Sequence, residues 1–251
     1  VSLPLQAGLW GLVAGLALVL GALIAWFVRV PPRVVAGVMA FGAGVLISAL
    51  AFDLVDEAET KGGLGATIGG FVAGAVVYVA ANALLARRGA RHRKRSGGHQ
   101  PSEQEQQGSG AAIAIGALLD GIPESVVLGL SLLGGQGVGI GVLAAIFISN
   151  LPEGLSSAAG MKSSGRRAGY VFGVWGGIAV ASGLAALIGA LTLQDASPAT
   201  IAVITAVAAG AILAMLADTM IPEAFEQDHA FTGLITAAGF LTAFSISRAG
   251  G

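Results

Sequence analysis

Two short apolar stretches each carry a Pro-Glu pair. The first, ALLDGIPESVVLGL from Ala117 to Leu130, holds Asp120, Pro123 and Glu124; the second, IFISNLPEGLSS from Ile146 to Ser157, holds Ser149, Asn150, Pro152 and Glu153. A carboxylate and a proline are both costly inside a helix that spans hydrocarbon, so meeting them together twice, 29 residues apart, calls for a shared purpose. On a helix Asp120 and Glu124 share one face, as do Ser149 and Glu153, with Asn150 beside them. Each proline also lacks an N–H and displaces the carbonyl four residues earlier, that of Leu119 or Ile148. Carboxylates, an amide, a hydroxyl and freed carbonyls make an oxygen-rich cluster, which a cation or protons would satisfy away from water. Two adjoining glutamates repel, so one of them is expected to hold a proton when no cation is present.

The elements that must position these groups follow from composition. Of 251 residues, 55% are hydrophobic and 11% charged, with 40 glycines, which points to an integral membrane protein rather than a soluble domain. The absence of cysteine excludes disulfides and thiolate ligands. At about 20 residues per crossing, the chain divides into eight segments, near 3–28, 34–55, 63–86, 110–133, 137–161, 167–193, 199–222 and 230–247. The first lacks a basic leader and is too long for a signal peptide, so it is expected to be a retained span. The first four breaks are Arg29–Arg33, the acidic turn Asp56–Gly63, the polar stretch 87–110 and Gly134–Gly137. Lys and Arg concentrate in the first, third and fifth loops, which places those loops in the cytoplasm and both termini outside. Residues 87–110, basic and then rich in Gln, Glu and Ser, read as a flexible cytoplasmic linker within a single transmembrane domain spanning 1–251. His92 and His99 in it are weak metal candidates, and its basic run suits anionic lipid better than nucleic acid. Glycine runs such as Gly8–Gly15, Gly65–Gly74 and Gly173–Gly177 predict close helix packing.

An internal repeat sharpens the architecture. Ala43–Ala58, AGVLISALAFDLVDEA, aligns without gaps to Ala209–Ala224, AGAILAMLADTMIPEA, with Ala43/Ala209, Gly44/Gly210, Ala51/Ala217, Glu57/Glu223 and Ala58/Ala224 identical. These stretches fall in the second and seventh spans, which the loop charges orient oppositely. The expected fold is therefore an all-α bundle of eight transmembrane helices, with helices 1–3 and 6–8 an inverted repeat around central helices 4 and 5. Asp53 and Asp218, about a turn from helix ends, either line an entrance or snorkel to the interface, and Asn82 is expected to make a bundle hydrogen bond. Glu57, Glu223, Glu226 and their neighbours are expected at solvated helix ends.

The paired Pro-Glu motifs, Pro123-Glu124 and Pro152-Glu153, set after three helices and a polar loop, resemble the ZIP family of divalent metal transporters. That family carries an H-N-x-P-E-G pattern in these two helices. The resemblance implies metal held between helices 4 and 5 by Glu124 and Glu153, with Asn150 and Gly154 also matching, and elevator-like alternating access. It departs at Asp120 and Ser149, which stand where histidines would be, and at Gly121 and Ser125; helix six, around Ser182–Ala190, offers no carboxylate for a second metal. An all-oxygen set suits Mn²⁺, Mg²⁺ or Fe²⁺ better than it singles out Zn²⁺, while Zn²⁺ and Cd²⁺ stay open.

The expectation is thus a multi-pass transporter of divalent metal in a bacterial cell membrane, with Asp120, Glu124, Asn150 and Glu153 as ligands and Ser149, Asp218 and Asp53 as secondary candidates. Metal is the substrate, no resident cofactor is called for, the lipid bilayer is the partner, and a homodimer is left open. The alternatives are a proton-linked transporter of a small organic cation, a structural or regulatory membrane protein, and an intramembrane hydrolase. The last is disfavoured because there is no HExxH and no cysteine, and the spans hold no histidine beyond His229 at an edge. No nucleotide-binding motif suggests ATP coupling.

Overall fold

The computed structural model describes residues 2–96, 100–132, 140–226 and 230–249. Among them there are helices and no strands: α1 (Leu3–Phe27), α2 (Pro32–Ala49), α3 (Asp56–Leu85), α4 (Ser109–Ser131), α5 (Ile140–Ser163), α6 (Ala168–Leu193), α7 (Pro198–Met215), the short α8 (Ile221–Ala224) and α9 (Thr232–Ala249). Three π-helical stretches, Leu50–Val55, Ala86–Ala90 and Leu216–Met220, join or extend them. The starts are legible locally: α1, α2 and α7 open with proline in the first turn, where its missing N–H would have had no helical partner. The Ser197 hydroxyl also accepts the Thr200 N–H ahead of α7.

Six helical stretches are long and apolar enough to cross a membrane: Leu3–Phe27, Pro32–Ala90, Ser109–Ser131, Gly141–Ser163, Ala168–Leu193 and Pro198–Ala224. The protein is a helical integral membrane protein. Outward-facing side chains such as Leu20, Val72 and Ile188 are large and exposed, whereas the interior is rich in Ala, Gly, Ser and Met. That distribution suits a bundle in lipid, where small residues let helices approach and hydrocarbon solvates the outside.

The acidic stretch expected as a turn is instead helical. Asp56, Glu57 and Glu59 continue the helix that runs from α2 through the π-helical stretch Leu50–Val55, and Lys61 pairs with Glu57 four residues back. The chain leaves helical geometry two residues after Lys61, at Gly63, with φ 76° and ψ 167°, a conformation only glycine adopts without strain. The Gly134–Gly137 break, His99 and His229 lie outside the described residues.

Glycine packing is selective. Gly21 of α1 and Gly154 of α5 oppose each other so closely that a Cβ on Gly21 would strike the Leu151 carbonyl and one on Gly154 the Leu18 carbonyl. By contrast Gly65, Gly69, Gly173, Gly176 and Gly177, expected to serve packing, have no atom near enough to meet an added Cβ. They face outward, so small size there answers to no neighbour in this chain. Helix α1 packs on α5 and α6, and α4 on α6; α3 pairs with α7 and α2 with α9, the two pairs meeting at the π-helical stretches after α2 and α7; α2 against α5, α4 against α3 and α7, and α5 against α9 form the seam between α1, α4, α5 and α6 and the rest.

Candidate cation site

The two prolines sit inside helices that run through them, Pro123 in α4 and Pro152 in α5. The continuous helices keep the four-residue spacing, and they carry Asp120, Glu124, Ser149, Asn150 and Glu153 into the interior, each at most 5% exposed. Burying three carboxylates demands countercharge. It comes from Arg93 and Lys94, in the stretch expected to be a flexible linker; their exposures are 1% and 3%.

Arg93 forms a two-pronged pair with Asp120, Nε donating to Oδ2 at 2.8 Å and Nη2 to Oδ1 at 2.7 Å. This fork is the strongest geometry available to a buried arginine. The Tyr78 hydroxyl donates to Asp120 Oδ1 at 2.5 Å and accepts from Arg93 Nη2 at 2.8 Å. Arg93 Nη1 donates to the Asn82 Oδ1 at 2.7 Å, and Asn82 Nδ2 donates to Asp218 Oδ2 at 3.0 Å. One guanidinium therefore ties α4 to α3, and through Asn82 to the π-helical turn after α7.

Lys94 reaches both central helices. Its Nζ lies 3.0 Å from Glu153 Oε2 and 3.4 Å from Asp120 Oδ2, held as an ion pair without a well-aligned hydrogen bond. Glu124 is within electrostatic reach of Glu153, Lys94 and Asp120, yet its Oε1 has no hydrogen-bond partner. Glu124, Asn150, Ser125 and Ser182 border a cavity of about 10 Å³, room for roughly one water. A second cavity, about 200 Å³ and lined by Arg91, His92, Lys94, Arg95, Asp218 and Thr219, reaches Lys94 from the loop side.

The other expected residues divide. Asn150 donates to the Ala14 carbonyl of α1 at 3.0 Å, and the Ser149 hydroxyl donates to the Ile146 carbonyl in its own helix. Asp218 borders the larger cavity and joins the network through Asn82. Asp53 is bound instead by the Ser247 hydroxyl of α9 at 2.7 Å, apart from the cluster. Among the described residues no three His, Asp or Glu side chains are disposed to hold a metal ion in this arrangement.

Residues that sequence reasoning passed over hold the loop in place. The Ser96 N–H and hydroxyl both donate to Glu223 Oε1, at 2.9 and 2.6 Å, and the Ser156 hydroxyl of α5 reaches the same oxygen at 3.0 Å. Glu223, expected at a solvated helix end, is 1% exposed. Ser156 also donates to the Lys94 carbonyl, and Gln100 Nε2 donates to the carbonyls of Arg93 and Ser157 at 2.8 and 3.1 Å. A Cβ on Gly116 would run into the Arg93 side chain, and one on Gly160 into the Arg95 carbonyl. The signal available in the sequence was the charge imbalance: three acids deep in two spans, with the basic residues confined to span ends and loops. Farther along the loop, Arg166 and the N–H groups of Gly108 and Gly110 hold the Glu103 carboxyl down to about 2. Neither a protein-family model nor a curated protein sequence matches this chain.

Proposed function

We propose that this protein is a secondary transporter of divalent metal cations, with Asp120, Glu124 and Glu153 as the charged walls of the transport site and Asn150 as a neutral ligand. The observation that carries this reading is the position of Lys94 Nζ, a buried cation bridging acids of the two Pro-Glu helices. A position that stabilises one buried cation through two carboxylates has the charge and the hard oxygen donors that a divalent ion requires. Resemblance to the ZIP family, through Pro123-Glu124 and Asn150-Leu151-Pro152-Glu153-Gly154, supports the same assignment.

The transporter has eight spans in this reading. Pro32–Ala90 is 59 residues long, about 90 Å if straight, so it serves as two crossings with Gly63 between them. The last crossing is α9. Support for an inverted repeat of spans 1–3 and 6–8 comes from reciprocal contacts. A Cβ on Gly44 would strike the Thr236 carbonyl and one on Gly210 the Phe71 carbonyl; likewise Gly74 opposes Val207, and Gly239 opposes Phe41. Exchanging span 2 with 7 and span 3 with 8 turns each contact into another. The π-helical stretches begin at Leu50 and Leu216, the same place in the two aligned copies. Alternating access then follows from moving α1, α4, α5 and α6 against the remaining group.

The test is uptake into proteoliposomes across Zn²⁺, Mn²⁺, Fe²⁺, Mg²⁺ and Cd²⁺, with Glu124→Ala in parallel. At least one ion is expected to enter faster than into empty vesicles, and the variant to lose that uptake; equal rates in all three would end the proposal. One observation favours a second reading, transport of a small organic cation: the side chain seated between the acids is itself an alkylammonium. Thermal stabilisation by Mn²⁺ and not by a primary amine separates the two, because only a ligand of the folded state raises the melting temperature.

A further inference from the structure

Residues 93–96 do more than neutralise the acids. Arg93 grips Asp120 of α4 on one side and Tyr78 and Asn82 of α3 on the other, so it crosses the seam between the two helix groups. Ser96 and the Lys94 carbonyl repeat that crossing a few residues later, since Glu223 belongs to α8 and Ser156 to α5. Between these two staples, the Lys94 ammonium lies where the transported ion would have to sit.

We propose that Arg93–Ser96 is a tethered plug and latch: Lys94 competes with the transported cation for Glu153 and Asp120, and the flanking contacts hold the two helix groups together until Lys94 is displaced. The physics is that of an intramolecular ligand. A tether gives its ammonium an effective concentration in the millimolar range, so a scarce ion must bind the acids much more tightly than Lys94 does in order to enter. A divalent ion gains twice the charge interaction and can recruit Glu124, whose Oε1 has no hydrogen-bond partner. The cavity beside Lys94, bordered by Asp218 and Thr219, provides space on the loop side into which the side chain can withdraw. Once the ammonium leaves, the staples at Arg93 and Ser96 lose the charge that anchored the segment between them. Cation binding and release of the seam are thereby one event.

This inference rests on the transport reading, so two readouts are needed. Lys94→Met keeps the length of the stem and removes the charge; it is expected to lower the KM for Mn²⁺ uptake at least tenfold. The chain has no cysteine, so Ser96→Cys gives a unique thiol whose reaction with a maleimide reports on the latch. Labelling is expected to be slower than at exposed Gln107→Cys, and to rise severalfold both with saturating Mn²⁺ and in the Lys94→Met background. If Mn²⁺ enters but its KM ignores Lys94→Met and labelling ignores Mn²⁺, the plug is overturned and the transport reading stands. If no variant binds or carries a divalent ion, transport of metals falls. The labelling comparison between Lys94 and Met backgrounds still decides the latch: an increase supports it, and equal rates overturn it.

Discussion

Asp120 and Glu124 lie one helical turn apart and face opposite circumstances: Asp120 is met by Arg93, Lys94 and Tyr78, Glu124 Oε1 by no hydrogen-bond donor. Their neutral variants should therefore separate stability from function. Asp120→Asn leaves the Arg93 guanidinium buried beside an uncharged partner, a loss of about 3–5 kcal/mol by the measure of broken buried pairs, and should lower the melting temperature in detergent by many degrees. Glu124→Gln removes no pairing that the folded chain relies on. It should melt within a few degrees of the parent while losing cation uptake. A result in which Glu124→Gln is the unstable variant would contradict the charge arrangement described above.

Among elements, the contact of α1 with α5 leaves no room for a side chain at its glycines. Gly154→Ala would push a methyl into the Leu18 carbonyl of α1, where backbone and not a movable side chain blocks it. Overpacking of this kind typically costs about 1–3 kcal/mol. Because Glu153 precedes it, the displaced helix should also weaken cation uptake. Gly173→Ala on α6 adds the same methyl where nothing lies nearby, so stability should hold or rise by up to about 1 kcal/mol through helix propensity. Paired melting curves check both. Identical effects would mean that glycine serves α5 and α6 through helix propensity alone. The repeat was legible in residues 43–58 and 209–224, but not the partners of its glycines, which lie on helices distant in sequence.

At the scale of the whole molecule, charge at the loop offers a check that does not depend on transport. Arg166 and two backbone N–H groups hold Glu103 near 2, below its ordinary 4.5. A carboxyl depressed in the folded state adds stability above its ordinary pKa and loses it as pH falls through the folded value. Protection of the Gly108 and Gly110 amides against hydrogen exchange, corrected for intrinsic rate, should hold above about pH 4.5 and fade toward 2. Glu103→Gln should remove it at neutral pH. The exposed site makes this a local effect, screened by salt. Orientation has its own test: an impermeant thiol reagent should reach Ser2→Cys from outside intact cells and Gln107→Cys only after the membrane is opened.

The sequence by itself determined that the chain is a helical membrane protein and which of its helices hold the acids, because hydropathy and the four-residue spacing of Asp120 with Glu124 and Ser149 with Glu153 are local properties. Helix starts at Pro4, Pro32 and Pro198 are local in the same sense. The helical run through Asp56–Gly62 was less legible, since a cluster of charged residues between two apolar runs reads as a loop. What only the tertiary structure decided is what meets those acids. Arg93 and Lys94 sit in a polar stretch whose composition reads as solvated linker, and no local pattern distinguishes a lysine facing water from one folded back onto Glu153. The reason is energetic: a basic loop residue is drawn inward only by uncompensated carboxylates on other helices, and that imbalance exists once α4 and α5 have been brought together.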